Sequence, residues 1–121
     1  MAMRGSVSMF RRWKSLYWTA IIGLIGCGFA VRSNAAEVAV DQRDLQFAPN
    51  VLRIKAGDSV RFTDSDRIAH DVTIVNADGT SEDKGMDTYS QQIVVPFPKP
   101  GAYHVRCRIH PTMKMIIMVV P

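Results

Sequence analysis

Between Val51 and Val120 the chain is cut into short runs in which apolar and polar residues alternate, and this rhythm limits the folds open to it. In "VLRIKAG" (residues 51–57) Leu52, Ile54 and Ala56 share one face. "SVRFTD" (59–64) places Val60 and Phe62 together, and "HDVTIVN" (70–76) sets Val72 and Ile74 against Thr73 and Val75. "YSQQIVVPF" (89–97) is rich in β-formers up to Pro96. "AYHVRC" (102–107) points Tyr103, Val105 and Cys107 one way and His104 and Arg106 the other, and "KMIIMVV" (114–120) ends the series. A period of two is the signature of a strand with one face buried. The turn signals "AGD", "ADGT" and "PKPG" lie between the runs, and strands at spacings of about ten residues predict an all-β, antiparallel Greek-key sandwich or barrel. The longest gap, 78–88, is acidic and polar, contains Gly79 and Gly85, and reads as a surface loop with at most one helical turn.

Ahead of these runs stands a segment of another kind. Arg4, Arg11, Arg12 and Lys14 precede the apolar stretch "TAIIGLIGCGFAV" (19–31), and "RSNAAE" supplies small residues at Ser33 and Ala35. A basic head, a short apolar stretch and a small-residue exit predict a signal peptide over residues 1–35, cleaved near Ala35/Ala36, and a mature domain over 36–121. The apolar stretch falls short of the roughly 20 residues of a membrane span; an N-terminal anchor helix is the alternative. "LIGC" also fits a lipoprotein box that would acylate Cys27, although the stretch stays apolar beyond it. The Arg11–Arg12 pair suggests twin-arginine export, but Lys14 stands where that signal prefers an apolar residue.

The leader also carries the charge. Of 15 basic residues, Arg4, Arg11, Arg12, Lys14 and Arg32 lie before Ala36, and none of the 11 acids does. The remainder has a net charge near −1, so the basic balance of the whole chain gives no support for nucleic-acid binding.

With Cys27 in the leader, Cys107 is left without a disulfide partner. A lone thiol in an exported protein is a liability unless it is buried or used. It opens "CRIHPTM", in which His110 and Met113 follow at steps of three, and it ends a strand on the inward face. His70 opens another strand, and strand ends gather at the poles of a sandwich, so His70 can join the loop. One thiolate, two imidazoles and a thioether suit copper: two His and a Cys in a plane with a distant Met is the blue-copper arrangement. Zinc is the rival, with Asp71 close by, but a thioether is a poor zinc ligand. Taken singly, Cys107 would be a small buried hydrophobe and Met113, one of seven methionines, a core residue. The joint pattern carries the reading. His104 points outward and is left as a solvated strand residue.

At these residues the sequence resembles the small cupredoxins, the group of plastocyanin, pseudoazurin and amicyanin. "FAPNVLRIKAGDSVRFTDSD" is similar to the family's N-terminal strands, "AHDVTIV" carries the first His, and "PFPKPGAYHVRCRIHPTM" resembles the approach to its ligand loop, with Gly101 and Tyr103 as the Gly-x-Tyr lead-in. The short loop is most similar to amicyanin. The resemblance implies a cupredoxin-like fold with one type 1 copper ion, His70, Cys107 and His110 as equatorial ligands and Met113 as the axial one. It departs from the family at three places: Asp71 stands where many members have a bracing Asn, Ile109 where amicyanin-like loops have Pro, and Met115 where they tend to have Gly.

Single-electron transfer between exported partners is the function so implied, in the periplasm or a comparable compartment. The partners would be a dehydrogenase, an oxidase or a c-type cytochrome, docking transiently on a monomer near His110 and Pro111, with Ile109, Thr112 and Met86 completing an apolar patch. No nucleic acid and no membrane span in the mature form are expected. Arg106, Arg108 and Lys114 flank the ligands and would steer an acidic partner. Three other readings compete. One is a copper module for storage, delivery or sensing; another is a metal-free structural sandwich. The last is an enzyme, which would need a second histidine-rich copper site that three histidines do not provide.

Overall fold

The computed structural model describes Gly28 and residues 34–121. The rest of the expected leader, Cys27 included, lies outside the described residues. Among the described residues there are nine strands and no helix: β1 (Glu37–Arg43), β2 (Gln46–Ala48), β3 (Val51–Lys55), β4 (Ser59–Asp64), β5 (His70–Val75), β6 (Ser81–Asp87), β7 (Gln92–Pro96), β8 (Gly101–Arg106) and β9 (Lys114–Val120). They form a four-stranded sheet in the order β2-β1-β4-β7 and a five-stranded sheet in the order β3-β9-β8-β5-β6.

The sheets are mixed rather than wholly antiparallel. β1 runs parallel to β4, with Glu37 opposite Ser59 and Gln42 opposite Asp64, and β3 runs parallel to β9. Parallel neighbours need a long crossover. Here the chain leaves the first sheet after β2, lays β3 in the second and returns as β4 beside β1.

Alternation builds the core. β4 turns Val60 and Phe62 inward, β8 turns Tyr103 and Val105, and β9 turns Met115, Ile117 and Val119. Phe62 meets Phe47 edge-on at 6.0 Å, and cutting such a ring back to alanine costs about 3–5 kcal/mol. The Gly-x-Tyr lead-in has a local cause. Gly101 sits at φ 153°, and a Cβ there would come within 2.9 Å of the Ala77 side chain. Tyr103 then packs edge-on against Phe97 at 5.1 Å and donates its hydroxyl to the Lys99 carbonyl at 2.8 Å.

The expected surface loop over 78–88 is instead mostly strand. β6 pairs antiparallel with β5, with a register shift between Asp71 and Thr73. It is an edge strand, exposed along most of its length, so it shows no apolar alternation. β5 departs from simple alternation for the complementary reason: it lies between β6 and β8, and His70 through Ile74 are all buried.

Candidate metal centre

Three segments converge at one pole. β5 begins with His70, β8 delivers Cys107 just past its last residue, and the loop to β9 carries His110 and Met113. The loop is closed by its own backbone: Met113 N–H donates to the His110 carbonyl at 2.9 Å, and Cys107 N–H to the Met113 carbonyl at 3.2 Å. Steps of three residues therefore return the chain to the same place.

His70 Nδ1 lies 3.2 Å from His110 Nδ1, and Cys107 Sγ lies 3.7 Å from His110 Nδ1. The donor atoms of His70, Cys107 and His110 all fall within 4.8 Å of one another. His70 and Cys107 are buried and His110 is half-buried. Met113, at the end of the same loop, is fully buried. His104 is exposed on β8 and stays apart.

Two of the donors are held in place by neighbours. His70 Nε2 lies 2.8 Å from Asp66 Oδ2. A carboxylate there fixes the proton on Nε2 and leaves the Nδ1 lone pair facing the site. Asp71 N–H donates to Cys107 Sγ at 3.4 Å, which ties the sulfur to the start of β5. Two imidazole nitrogens 3.2 Å apart beside a sulfur form a donor set that suits a soft-to-borderline metal ion.

The Asn brace missing from position 71 is replaced. The Asp71 carboxylate accepts from Thr73 Oγ1 at 2.7 Å, from the Arg108 backbone N–H at 3.2 Å, and from the Arg108 guanidinium at 3.1 and 3.0 Å. Burial works against its charge, yet the bonds from Arg108 and Thr73 outweigh burial and hold the carboxyl below the usual range. Asp66 is likewise held low: burial opposes its charge, and the backbone N–H groups of Asp44 and Leu45 together with His70 overcome it. Behind His70, Asp87 and Asp64 are pushed up, in each case chiefly by burial.

Of the four expected ligands, His70, Cys107 and His110 are brought together; their supports are not apparent from the sequence. Asp66 stands four residues before His70, a reach that a bend can close. Arg108, read as part of a basic rim, is turned onto Asp71 and Asp83, and Asp87, placed in a surface loop, is buried. Met86 is exposed, as expected, and sits opposite Asp71 in the sheet register. Ile68, exposed two residues before His70, joins Ile109 and Met86 as large apolar surface at this pole.

A family model described as copper binding proteins, plastocyanin/azurin family, matches residues 34–120. A pseudoazurin of Methylorubrum extorquens is 35% identical over 74 residues, 61% of this chain and 50% of that protein, so the chain spans about half its length. A chloroplastic plastocyanin of Tetradesmus obliquus is 29% identical over 109 residues, 82% of this chain and 75% of that protein. A solved amicyanin structure superposes with a TM-score of 0.64 at 24% identity, covering 69% of this chain and 81% of the other, which shows the cupredoxin fold. With His70, Cys107 and His110 positioned to hold one ion, the chain belongs to the plastocyanin/azurin family of copper-binding proteins.

Proposed function

We propose that the protein is a one-electron carrier with a type 1 copper ion, which His70, Cys107, His110 and Met113 would hold. The convergence of the three donor atoms within 4.8 Å carries the reading. The bound ion would supply a single reversible electron. The protein's own part is to keep the ligands from moving between oxidation states, and the contacts above do that. His70 is locked by Asp66, the sulfur by the Asp71 N–H, and the loop by its two backbone bonds.

Contact with partners falls to His110, the only ligand with solvent access. Ile68, Met86 and Ile109 offer apolar surface beside it, suited to a transient complex with an exported dehydrogenase, oxidase or c-type cytochrome. With Arg108 paired, Arg106 and Lys114 remain exposed as the basic part of the rim. The carrier reading is favoured over an enzyme because the third histidine, His104, faces outward and alone. Residues 36–121 act as the exported domain after loss of a signal peptide over 1–35, in the periplasm or a comparable compartment.

The experiment is to add copper(II) to the purified domain and record the visible spectrum and the electron self-exchange rate. An intense thiolate-to-copper band is expected, lost in Cys107→Ser and retained with a shifted potential in Met113→Leu. A blue protein with negligible self-exchange would favour copper storage or delivery instead.

A further inference from the structure

An acidic side chain is buried next to the candidate ligands. Asp71 is buried, follows His70 directly, and its own N–H reaches Cys107 Sγ. A buried carboxylate is costly without a counter-charge. Arg108 supplies it from the residue after Cys107. Its Nε meets Oδ2 at 3.1 Å, its Nη2 meets Oδ1 at 3.0 Å, and its backbone N–H meets Oδ2 at 3.2 Å. This is the two-pronged pairing in which guanidinium and carboxylate planes match. The same Nη2 reaches Asp83 on β6, so one side chain spans the ligand loop, β5 and β6.

We propose that Arg108 is a positioning residue that sets the charge around the centre: it cancels Asp71 and, through the same contacts, holds the Cys107–Met113 loop against β5. The inference rests on the copper reading above. An uncompensated negative charge near the site favours the oxidised, more positive state. Loss of Arg108 must then lower the reduction potential, loss of the Asp71 charge must raise it, and loss of both must bring it back. A purely mechanical brace makes a different forecast: either change breaks the same contact, so both single variants shift in the same direction and the double variant resembles them rather than wild type. The Arg108 side chain is 53% exposed, so solvent and salt screen part of its effect. The Arg108→Gln shift therefore shrinks as ionic strength rises.

The test is voltammetry on copper-loaded protein expressed from the full chain, comparing wild type, Arg108→Gln, Asp71→Asn and the double variant at low and moderate salt. The expected result is a lower potential in Arg108→Gln, a higher one in Asp71→Asn, and a double variant nearer to wild type than either. Arg108→Lys keeps the charge and loses the fork. It is expected to hold the wild-type potential while lowering the melting temperature of the metal-free protein. An unmoved Arg108→Gln potential, single variants shifted in the same direction with a double variant that resembles them, or Arg108→Lys shifted as far as Arg108→Gln would each overturn the inference. A colourless wild type would overturn the copper reading and this inference together.

Discussion

The two histidines that face each other across the centre are held in opposite ways. His70 is fully buried at the start of a strand, with Nδ1 toward the site and Nε2 on the Asp66 carboxylate. His110 sits in the middle of a loop, half-buried, with Nδ1 toward His70 and Cys107. Its Nε2 makes no hydrogen bond among the described residues. On the proposed reading, a ligand enclosed by the fold can be tuned only by the fold, so His70 would be one place where affinity and potential are set. A ligand that reaches solvent can meet another protein, so on the same reading His110 would be where contact is made.

Removing the rings tests this division most severely. His70→Ala leaves a closed cavity and takes a partner from Asp66. The metal-free protein is expected to lose about 2–4 kcal/mol. His110→Ala empties a half-exposed position and is expected to cost under about 1 kcal/mol. Urea unfolding of both metal-free variants measures the contrast. Copper binding should separate them further: in His110→Gly the gap opens to solvent, so added imidazole is expected to restore the coloured site, whereas in His70→Gly it is not. Equal rescue of the two would end the distinction between an enclosed and an open ligand.

A milder change keeps the ring and removes the charge behind it. Asp66→Asn still accepts a hydrogen bond from His70 Nε2 but no longer offers a full carboxylate. Partners of this kind are worth about 10–100-fold in metal affinity, and a weaker copper(II) complex with a raised reduction potential is expected. The readouts are competitive copper titration and voltammetry. His110 has no such partner to lose, so an unchanged affinity in Asp66→Asn would place the tuning elsewhere.

Much of this contrast was legible in the sequence, and the part that was not has a physical cause. The period of two located β4, β8 and β9 to within a residue, because each has one face in the core and one in solvent. It could not show β6, an edge strand with almost no core face, or the parallel pairings, which depend on where the chain crosses between sheets. The approach of His110 to Cys107 was legible because the "CRIHPTM" spacing is local. Asp66 and Arg108 were not read as supports, because a charged residue looks the same in sequence whether it faces water or is folded onto a ligand. An aspartate at position 71 followed much later by an arginine beside Cys107 was the available clue, an acid where an amide was expected and a base placed to meet it.

The smallest expected effect concerns what enclosing His70 costs. Behind it, Gln42 Nε2 donates to Asp87 Oδ2, while Gln42 Oε1, Asp64 Oδ2 and Asp87 Oδ1 are buried without a protein partner. Burial pushes the Asp87 carboxyl up from its ordinary 3.8, the Gln42 bond opposes this, and the nearby Asp64 adds to it. A raised carboxyl means that the folded state holds its proton more tightly than the unfolded chain does. Stability from this group therefore falls as pH rises from its ordinary value through its folded value, and the deficit stays constant above that. Asp71 and Asp66 act in the other sense, losing stability as pH falls through their lowered values, so the total curve hides the Asp87 contribution. The difference between Asp87→Asn and wild type isolates it. Asn keeps an acceptor for Gln42 and cannot ionise, so the metal-free variant is expected to gain on wild type as pH is raised from about 4 to 7 and to match it in acid. Denaturant melts across that range measure the gap. A gap that stays flat with pH would mean that Asp87 carries no strain from enclosure, and that His70 is buried at no electrostatic cost.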